Sequence, residues 1–317
     1  RVAMSRITYF SPSIGLQVND ELSIGASIGF SWQGFGIETK LRAPETTLAF
    51  LDQQVDILFP PGEDNDNNGE DDSEEVHDGL KLAAIGPYDN VGSLTLELED
   101  ALSLTFNLGL LWEPTEWISF GMVYQSEGTS DLEGDFKMDH TDNFIEMTES
   151  LKDLNILLSL ISGGNFNAQK VVTGTADLEL INPAHFAMGT SVKLFPNLKV
   201  NFDIKWTDYA AWENLEINFD NDIDFLTVSS LVYGAGGSGF NPDGEDNADS
   251  NKMIIQRQYE SIWTWAIGFE YQYNDRLVLR AGYEPRGSAI PDDRVDLLAP
   301  LAEAELYTFG VGYQWDS

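Results

Sequence analysis

The stretch Ile181–Asp220, INPAHFAMGTSVKLFPNLKVNFDIKWTDYAAWENLEINFD, decides the fold class. From Phe186 every second residue is apolar or neutral: Phe186, Met188, Thr190, Val192 and Leu194. A tight Phe195-Pro196-Asn197 break follows. Alternation resumes at Val200, Phe202, Ile204 and Trp206, now interleaved with Asn201, Asp203, Lys205 and Thr207. A period of two, with one greasy and one polar face folded at a short turn, is a β-hairpin. In a soluble sandwich the greasy face would be core. In a transmembrane barrel it meets lipid, and the polar face lines a wet lumen.

Composition narrows the choice. The chain has 317 residues, long for one soluble β domain and ordinary for a barrel. It has no Cys, which excludes a disulfide framework and thiol chemistry. The net charge of −36, from 17 Lys+Arg against 53 Asp+Glu, excludes nucleic acid as a partner, because phosphate contacts need a basic surface. Aromatic residues make up 12% of the chain, with 8 Trp and 11 Tyr, a richness that suits interface girdles. No run approaches the roughly 18 apolar residues of a membrane helix, which leaves a barrel open. No leader is visible at Arg1.

The same alternation recurs along the chain. Leu22, Ile24, Ala26, Ile28, Phe30 and Trp32 share one face, and Leu102, Leu104, Phe106, Leu108, Leu110 and Trp112 another. Trp263, Trp265, Ile267, Phe269, Tyr271 and Tyr273 follow, then Tyr307, Phe309, Val311, Tyr313 and Trp315. Short turns sit at Asn19, Pro114, Pro196 and Asn274. Long loops are expected at about 43–93, 139–170, 221–256 and 287–303. Short connections on one rim and long ones on the other are the plan of an outer-membrane barrel. A soluble sandwich would have to hide Trp263, Trp265, Phe269, Tyr271 and Tyr273 of one strand in one core. The fold class read here is therefore all-β: a single transmembrane antiparallel up-and-down β-barrel domain over residues 1–317. About nine strands are present, with short helices in two long loops. Nine is odd, whereas single-chain bacterial barrels have even strand numbers, so strands are expected to be missing at both ends.

Three stretches carry a resemblance: SPSIGLQVNDELSIGASIGF at Ser11–Phe30, the hairpin Asn182–Phe219, and YNDRLVLRAGYEPRGSAIPDDR at Tyr273–Arg294. The chain resembles the FadL-type outer-membrane transporters of long-chain fatty acids and hydrocarbons, a family that includes the toluene and xylene channels. The resemblance implies a fourteen-stranded barrel with an N-terminal hatch in the outer membrane of a Gram-negative bacterium. It also implies capture of substrate in an apolar groove between two helix-bearing outer loops, and sideways exit at a kinked strand. Hatch and kinked strand would lie before Arg1, and the last strands after Ser317.

The residues offer three candidate sites. Leu48, Leu51, Val55, Leu58 and Phe59 in one loop, and Phe144, Met147, Leu151, Leu154 and Leu158 in another, have helical spacing and could face each other across an apolar groove. Lys205 and Arg280, with Arg286, fall on the lumen face and could hold a carboxylate head group, although Asp203, Glu270 and Glu284 on the same face could instead neutralise them. Asp64, Asp66, Asn68, Glu70, Asp72 and Glu75, with Gly69, fit the spacing of a calcium loop. The stretch is so rich in Asp, Glu and Asn that a solvated acidic loop, bridged to lipopolysaccharide by diffuse divalent ions, fits as well. No cofactor is required, and calcium is the one metal candidate. The three His, His77, His140 and His185, stand in no catalytic motif, so an enzyme is not expected.

The expected function is passive import of long-chain fatty acids or related hydrophobic compounds by a monomeric barrel surrounded by lipid and lipopolysaccharide. The alternatives are an alkane or aromatic-hydrocarbon channel and, from another class, a non-transporting adhesin or receptor that works through its acidic loops.

Overall fold

The computed structural model describes residues 1–43, 45, 48–49, 53, 85–153, 169–227, 250–291 and 303–315, with backbone alone for 150–153. It is an antiparallel sheet of fourteen strand segments. In chain order these are β1 (Val2–Phe10), β2 (Ser13–Gln17), β3 (Leu22–Arg42), β4 (Asn90–Thr115), β5 (Ile118–Gln125), β6 (Gly128–His140) and β7 (Val171–Asn182). They continue as β8 (His185–Phe195), β9 (Leu198–Thr207), β10 (Asn214–Phe219), β11 (Lys252–Gln256), β12 (Ile262–Asn274), β13 (Leu277–Arg286) and β14 (Ala304–Tyr313). One helix, α1 (Asp142–Asp153), follows β6. Residues 45, 48, 49 and 53 are helical too.

Five times two successive segments are the halves of one bent strand: β1/β2, β5/β6, β7/β8, β9/β10 and β11/β12. Among the described residues the chain therefore crosses the wall nine times, as the alternation predicts. The half nearest the short turns runs β14-β13-β12-β9-β8-β5-β4, and the half nearest the long loops runs β11-β10-β7-β6-β4. Both meet on β4, whose partner β3 pairs in turn with β1 and β2. Among the described residues the sheet does not close. Two of the short turns use the same device. Asn19 Oδ1 accepts the backbone N–H groups of Glu21 and Leu22 at 2.9 and 2.8 Å, and Asn274 Oδ1 those of Arg276 and Leu277 at 2.9 and 3.0 Å.

The halves of the wall have opposite polarity. In the turn half the outward face is apolar and exposed: Ile24, Ile28, Leu104, Phe106, Leu108, Met188, Phe202, Trp265 and Phe269. The inward face there is mainly Ser, Gly, Thr and charge, with Leu111 and Val123 among them. In the loop half the apolar residues turn inward. Paired rows run Ile37–Leu96–Phe136 across β3, β4 and β6, and Leu132–Leu178–Ile217–Met253 across β6, β7, β10 and β11. They form one core with Phe35, Leu94, Leu98, Met138 and Phe219, in which Leu96, Leu132 and Ile217 are 0% exposed. The outward face of this half is acidic. Glu99 pairs with Glu133, Glu133 with Asp177, Glu97 with Asp135 and Asp131 with Glu179. Like charges directly opposite destabilise a sheet, so this face must be solvated and screened.

A bulge accomplishes the inversion on β4. Ser31 pairs with Ser103 and Gln33 with Asp100, so Ala101 and Leu102 together face Trp32. The extra residue flips the alternation, sending Leu98 inward and Leu104 outward. Pro183-Ala184 separates β7 from β8 at a similar break. A surface that is apolar outside below this level and acidic outside above it crosses from hydrocarbon into water.

Two boundaries differ from the sequence reading. β11 lies inside the expected loop 221–256, and β4 starts at Asn90 rather than near Leu94. Both segments carry the inverted alternation, which a search for outward apolar faces passes over.

Leu108 points outward from the turn half and is 51% exposed. Leu108→Arg should cost about 2–4 kcal/mol in unfolding from lipid bilayers, the cost of a cation at mid-membrane, whereas Gln272→Arg on the inward face should cost less than about 1 kcal/mol. Equal costs in urea titrations would contradict the assignment of faces.

Candidate functional site

The inside of the wall has three zones. The apolar interior of the loop half comes first, and α1 closes it. Thr141 precedes the helix, and its Oγ1 accepts the Phe144 N–H at 3.3 Å, a capping bond, with Asp142 in the first turn. Phe144, Met147 and Thr148 then share one buried face. The Phe144 ring stacks on His140 at 4.9 Å and lies 6.4 Å from Phe225. His140 Nδ1 lies 2.8 Å from the Gln169 carbonyl oxygen.

The second zone is a polar belt just below the apolar interior. Ser31, Gln33, Ser103, Thr105, Ser126 and Ser130 are all buried. Arg6 extends among them from β1, and its Nη2 donates to Thr105 Oγ1 at 3.5 Å. The third zone is the concave inner wall of the turn half. A recess of about 660 Å³ there is lined by Gly25, Gly109, Gly121, Gly189, Ser119, Ser191, Asn201 and Asp203 together with apolar residues such as Leu111 and Val123. Beside it, on β9, β12 and β13, lie the lumen cations. Arg280 Nε bonds Glu270 at 2.7 Å, and Glu284 takes both Lys205 Nζ at 3.4 Å and Arg286 Nε at 3.0 Å.

The candidate residues fall into this frame unevenly. Lys205 and Arg280 do face inward, but each is engaged by a carboxylate, and Glu284 is shared with Arg286, so they belong to an ion-pair network. Phe144 and Met147 are brought together, but as part of the buried core, each 2% exposed, rather than as one wall of an open groove. The reason is that the sheet beneath them is apolar, so the helix packs down onto it. Leu48 lies in a helical position and is partly buried. Leu51, Val55, Leu58, Phe59, Leu154 and Leu158 lie outside the described residues, as does the Leu151 side chain, and so do the acidic-loop residues Asp64, Asp66, Asn68, Glu70, Asp72 and Glu75. Among the described residues no cluster of His, Asp and Glu has the grouping of a metal site. The polar belt was not anticipated. Its one sequence signal was a cation at Arg6 in phase with Thr8, on the strand that begins at Val2.

The sequence pattern of the family described as outer membrane protein transport protein (OMPP1/FadL/TodX) matches residues 1–317. The chain belongs to this family. It is therefore an outer-membrane protein, in keeping with the faces of its wall. No curated protein sequence matches the chain. Among solved structures, that of a Pseudomonas aeruginosa FadL homologue is similar over 100% of this chain and 57% of its own, with a TM-score of 0.66 at 17% identity. The Pseudomonas putida toluene transporter TodX is similar over 99% of this chain and 60% of its own, with a TM-score of 0.51 at 17% identity. The CymD monoaromatic hydrocarbon channel is similar over 99% and 65%, with a TM-score of 0.53 at 17% identity. The likeness shows a shared fold. The chain spans only 57–65% of the length of these three structures.

The ion pairs differ in burial. The Glu284 side chain is 16% exposed and serves two cations, whereas Glu270 and Arg280 are 37% and 53% exposed. Glu284→Gln should therefore lower stability by about 1–3 kcal/mol, the value of hydrogen bonds to a charged group. Glu270→Gln should cost less than about 1 kcal/mol. Urea unfolding in detergent–lipid mixtures checks the order, and a larger cost at Glu270 would contradict it.

Proposed function

We propose that the chain forms wall and outer mouth of a passive importer of hydrophobic compounds, with long-chain fatty acids as the leading substrate class. The observation that carries this reading is the apolar interior of the loop half. A channel for hydrophilic solutes needs a polar interior, whereas here Leu94, Leu96, Leu98, Leu132, Leu178 and Ile217 face inward into a packed core, 0–3% exposed, which an entering molecule would have to part. An apolar molecule moving from water into such an interior gains about 25 cal/mol for each Å² it buries, or several kcal/mol for a long acyl chain. No energy source is needed, since the gradient and the burial drive entry. The outward apolar face meets lipid, and lipopolysaccharide with its divalent ions is the expected neighbour of the acidic outward face. A single copy suffices for this role.

A specific observation favours a second reading, a channel for uncharged hydrocarbons. Lys205 and Arg280 are already engaged by Glu284 and Glu270, so a substrate carboxylate would compete with those residues for them. Relatives of the same fold are a toluene transporter and a monoaromatic hydrocarbon channel.

Equilibrium binding of labelled oleate and labelled xylene to the full-length protein in detergent separates the two. Oleate is expected to bind, and Phe144→Asp, which puts a charge into the core at the loop end, is expected to weaken it by about tenfold or more. Xylene binding without oleate binding would move the function to hydrocarbon uptake. Binding of neither would overturn the importer and favour a surface receptor.

A further inference from the structure

One buried imidazole stands at the joint between wall and helix. His140 is the last residue of β6, 3% exposed, and Thr141 alone separates it from α1. Its backbone is pinned on both sides. It pairs with Gly92 of β4, and its N–H donates to the Lys170 carbonyl at 2.8 Å. The ring lies on that of Phe144 in α1, with centroids 4.9 Å apart and planes at 19°. Nδ1 is 2.8 Å from the Gln169 carbonyl oxygen. A carbonyl only accepts, so Nδ1 carries the proton of the neutral ring. Nε2 is buried and has no partner among the described residues. In the neutral ring Nε2 is a bare acceptor. With a proton it becomes the donor of a charged ring with no acceptor, which is the costlier state to bury.

The charged groups around the joint give the ring no counter-ion. On β6, Asp139 takes Lys137 at 2.7 Å on the face opposite His140. Ahead of β7, Lys170 holds Asp142 of α1 at 2.5 Å, and both side chains are exposed. Glu146 and Glu149 of α1 are exposed as well. Asp224 accepts the Gln169 N–H at 3.1 Å, and Asp89, just before β4, accepts that of Gly86 at 2.8 Å. Among the described residues none of these groups bonds to Nε2.

We propose that α1 is a lid on the apolar interior and that His140 is its acid-sensitive latch. With the ring neutral, Phe144 and Met147, each 2% exposed, seat on the interior and close it. With the ring protonated, Nε2 needs water as a partner, and it meets water when the helix that covers it lifts. The helix pivots at Thr141, and the stack of Phe144 on His140 is lost. Opening takes up one proton, so acid favours the open lid and rising pH favours the closed one. The inference rests on the importer reading, in which an entering molecule has to part this packed core. It adds regulation to that reading: the acidity of the external medium sets how often the interior is open.

The test is amide hydrogen exchange of the full-length protein in detergent at about pH 7.5 and about pH 5, a range that spans the ordinary titration of imidazole. After correction for the intrinsic pH dependence of exchange, α1 should open about tenfold or more often at the lower pH, while the β12–β13 hairpin keeps its rate. His140→Gln keeps a donor for the Gln169 carbonyl but takes up no proton, so it should abolish the step. Unchanged exchange in β12–β13 shows each variant to be folded, and His140→Phe serves as a second neutral replacement. Asp142→Asn, which breaks only the exposed pair with Lys170, should keep the step. Methyl oleate, which does not ionise, should associate faster at the lower pH in wild type and at one rate in His140→Gln. An α1 that exchanges alike at both pH values in wild type would overturn the latch without touching the importer. So would a step that survives both His140 replacements or vanishes in Asp142→Asn. A step in exchange with no methyl oleate binding at either pH would leave the latch standing and overturn the importer.

Discussion

Everything in this wall follows from the cost of an unpaired backbone group in hydrocarbon. No helix among the described residues is long and apolar enough to cross a membrane, so strands must do it, and strands pair their N–H and C=O groups with neighbours. The pairing dictates the alternation, and the alternation dictates the chemistry. Once Leu104 and Leu108 point to lipid, Ser103, Thr105 and Asn107 have to point inward. The turn half is therefore greasy outside and mainly polar inside, with Leu111 and Val123 as inward exceptions.

Above the membrane the same backbone obeys a different solvent, and the sign of the pattern reverses. The bulge at Ala101-Leu102 and the break at Pro183-Ala184 are where strands change phase without losing their neighbours. The consequence is functional. Water on the outside leaves the inside as the only place for apolar side chains, so Leu96, Phe136, Leu178 and Ile217 meet at the centre. A hydrophobic interior opposite an acidic exterior is a sink for apolar molecules on the side where they arrive. The polar belt marks the level at which that interior stops.

The lower hairpins were legible in the sequence because lipid demands an unbroken apolar face. His185–Phe195 and Leu198–Thr207 fold as the alternation reads, about the Pro196-Asn197 turn. The loop half was harder to read. Gly128–His140 alternates, but its apolar residues are sparse and in the opposite phase, and β11 is only five residues long within a loop rich in Gly, Asp and Asn. The site was legible in part. The inward phase of Lys205, Arg280 and Glu284 followed from period two alone. Which carboxylate each cation would take depends on neighbouring strands, and no spacing within one strand reports that. The helical spacing of Phe144 and Met147 identified α1. Its burial against β4 and β6 could be known only once the sheet beneath it was apolar on the inside.

The central claim is that hydrophobic molecules enter the inward apolar surface of the loop half. The most direct measurement is photolabelling of the full-length protein in outer-membrane vesicles with a fatty acid that carries a diazirine on its chain, followed by mapping of the labelled peptides. The account predicts saturable label on the strands bearing Leu96, Leu132, Leu178 and Ile217, displaced by excess unlabelled fatty acid. Label confined to outward residues such as Leu108 and Phe269, and not displaced, would mean that the acid only dissolves in the surrounding lipid. That result would contradict the account.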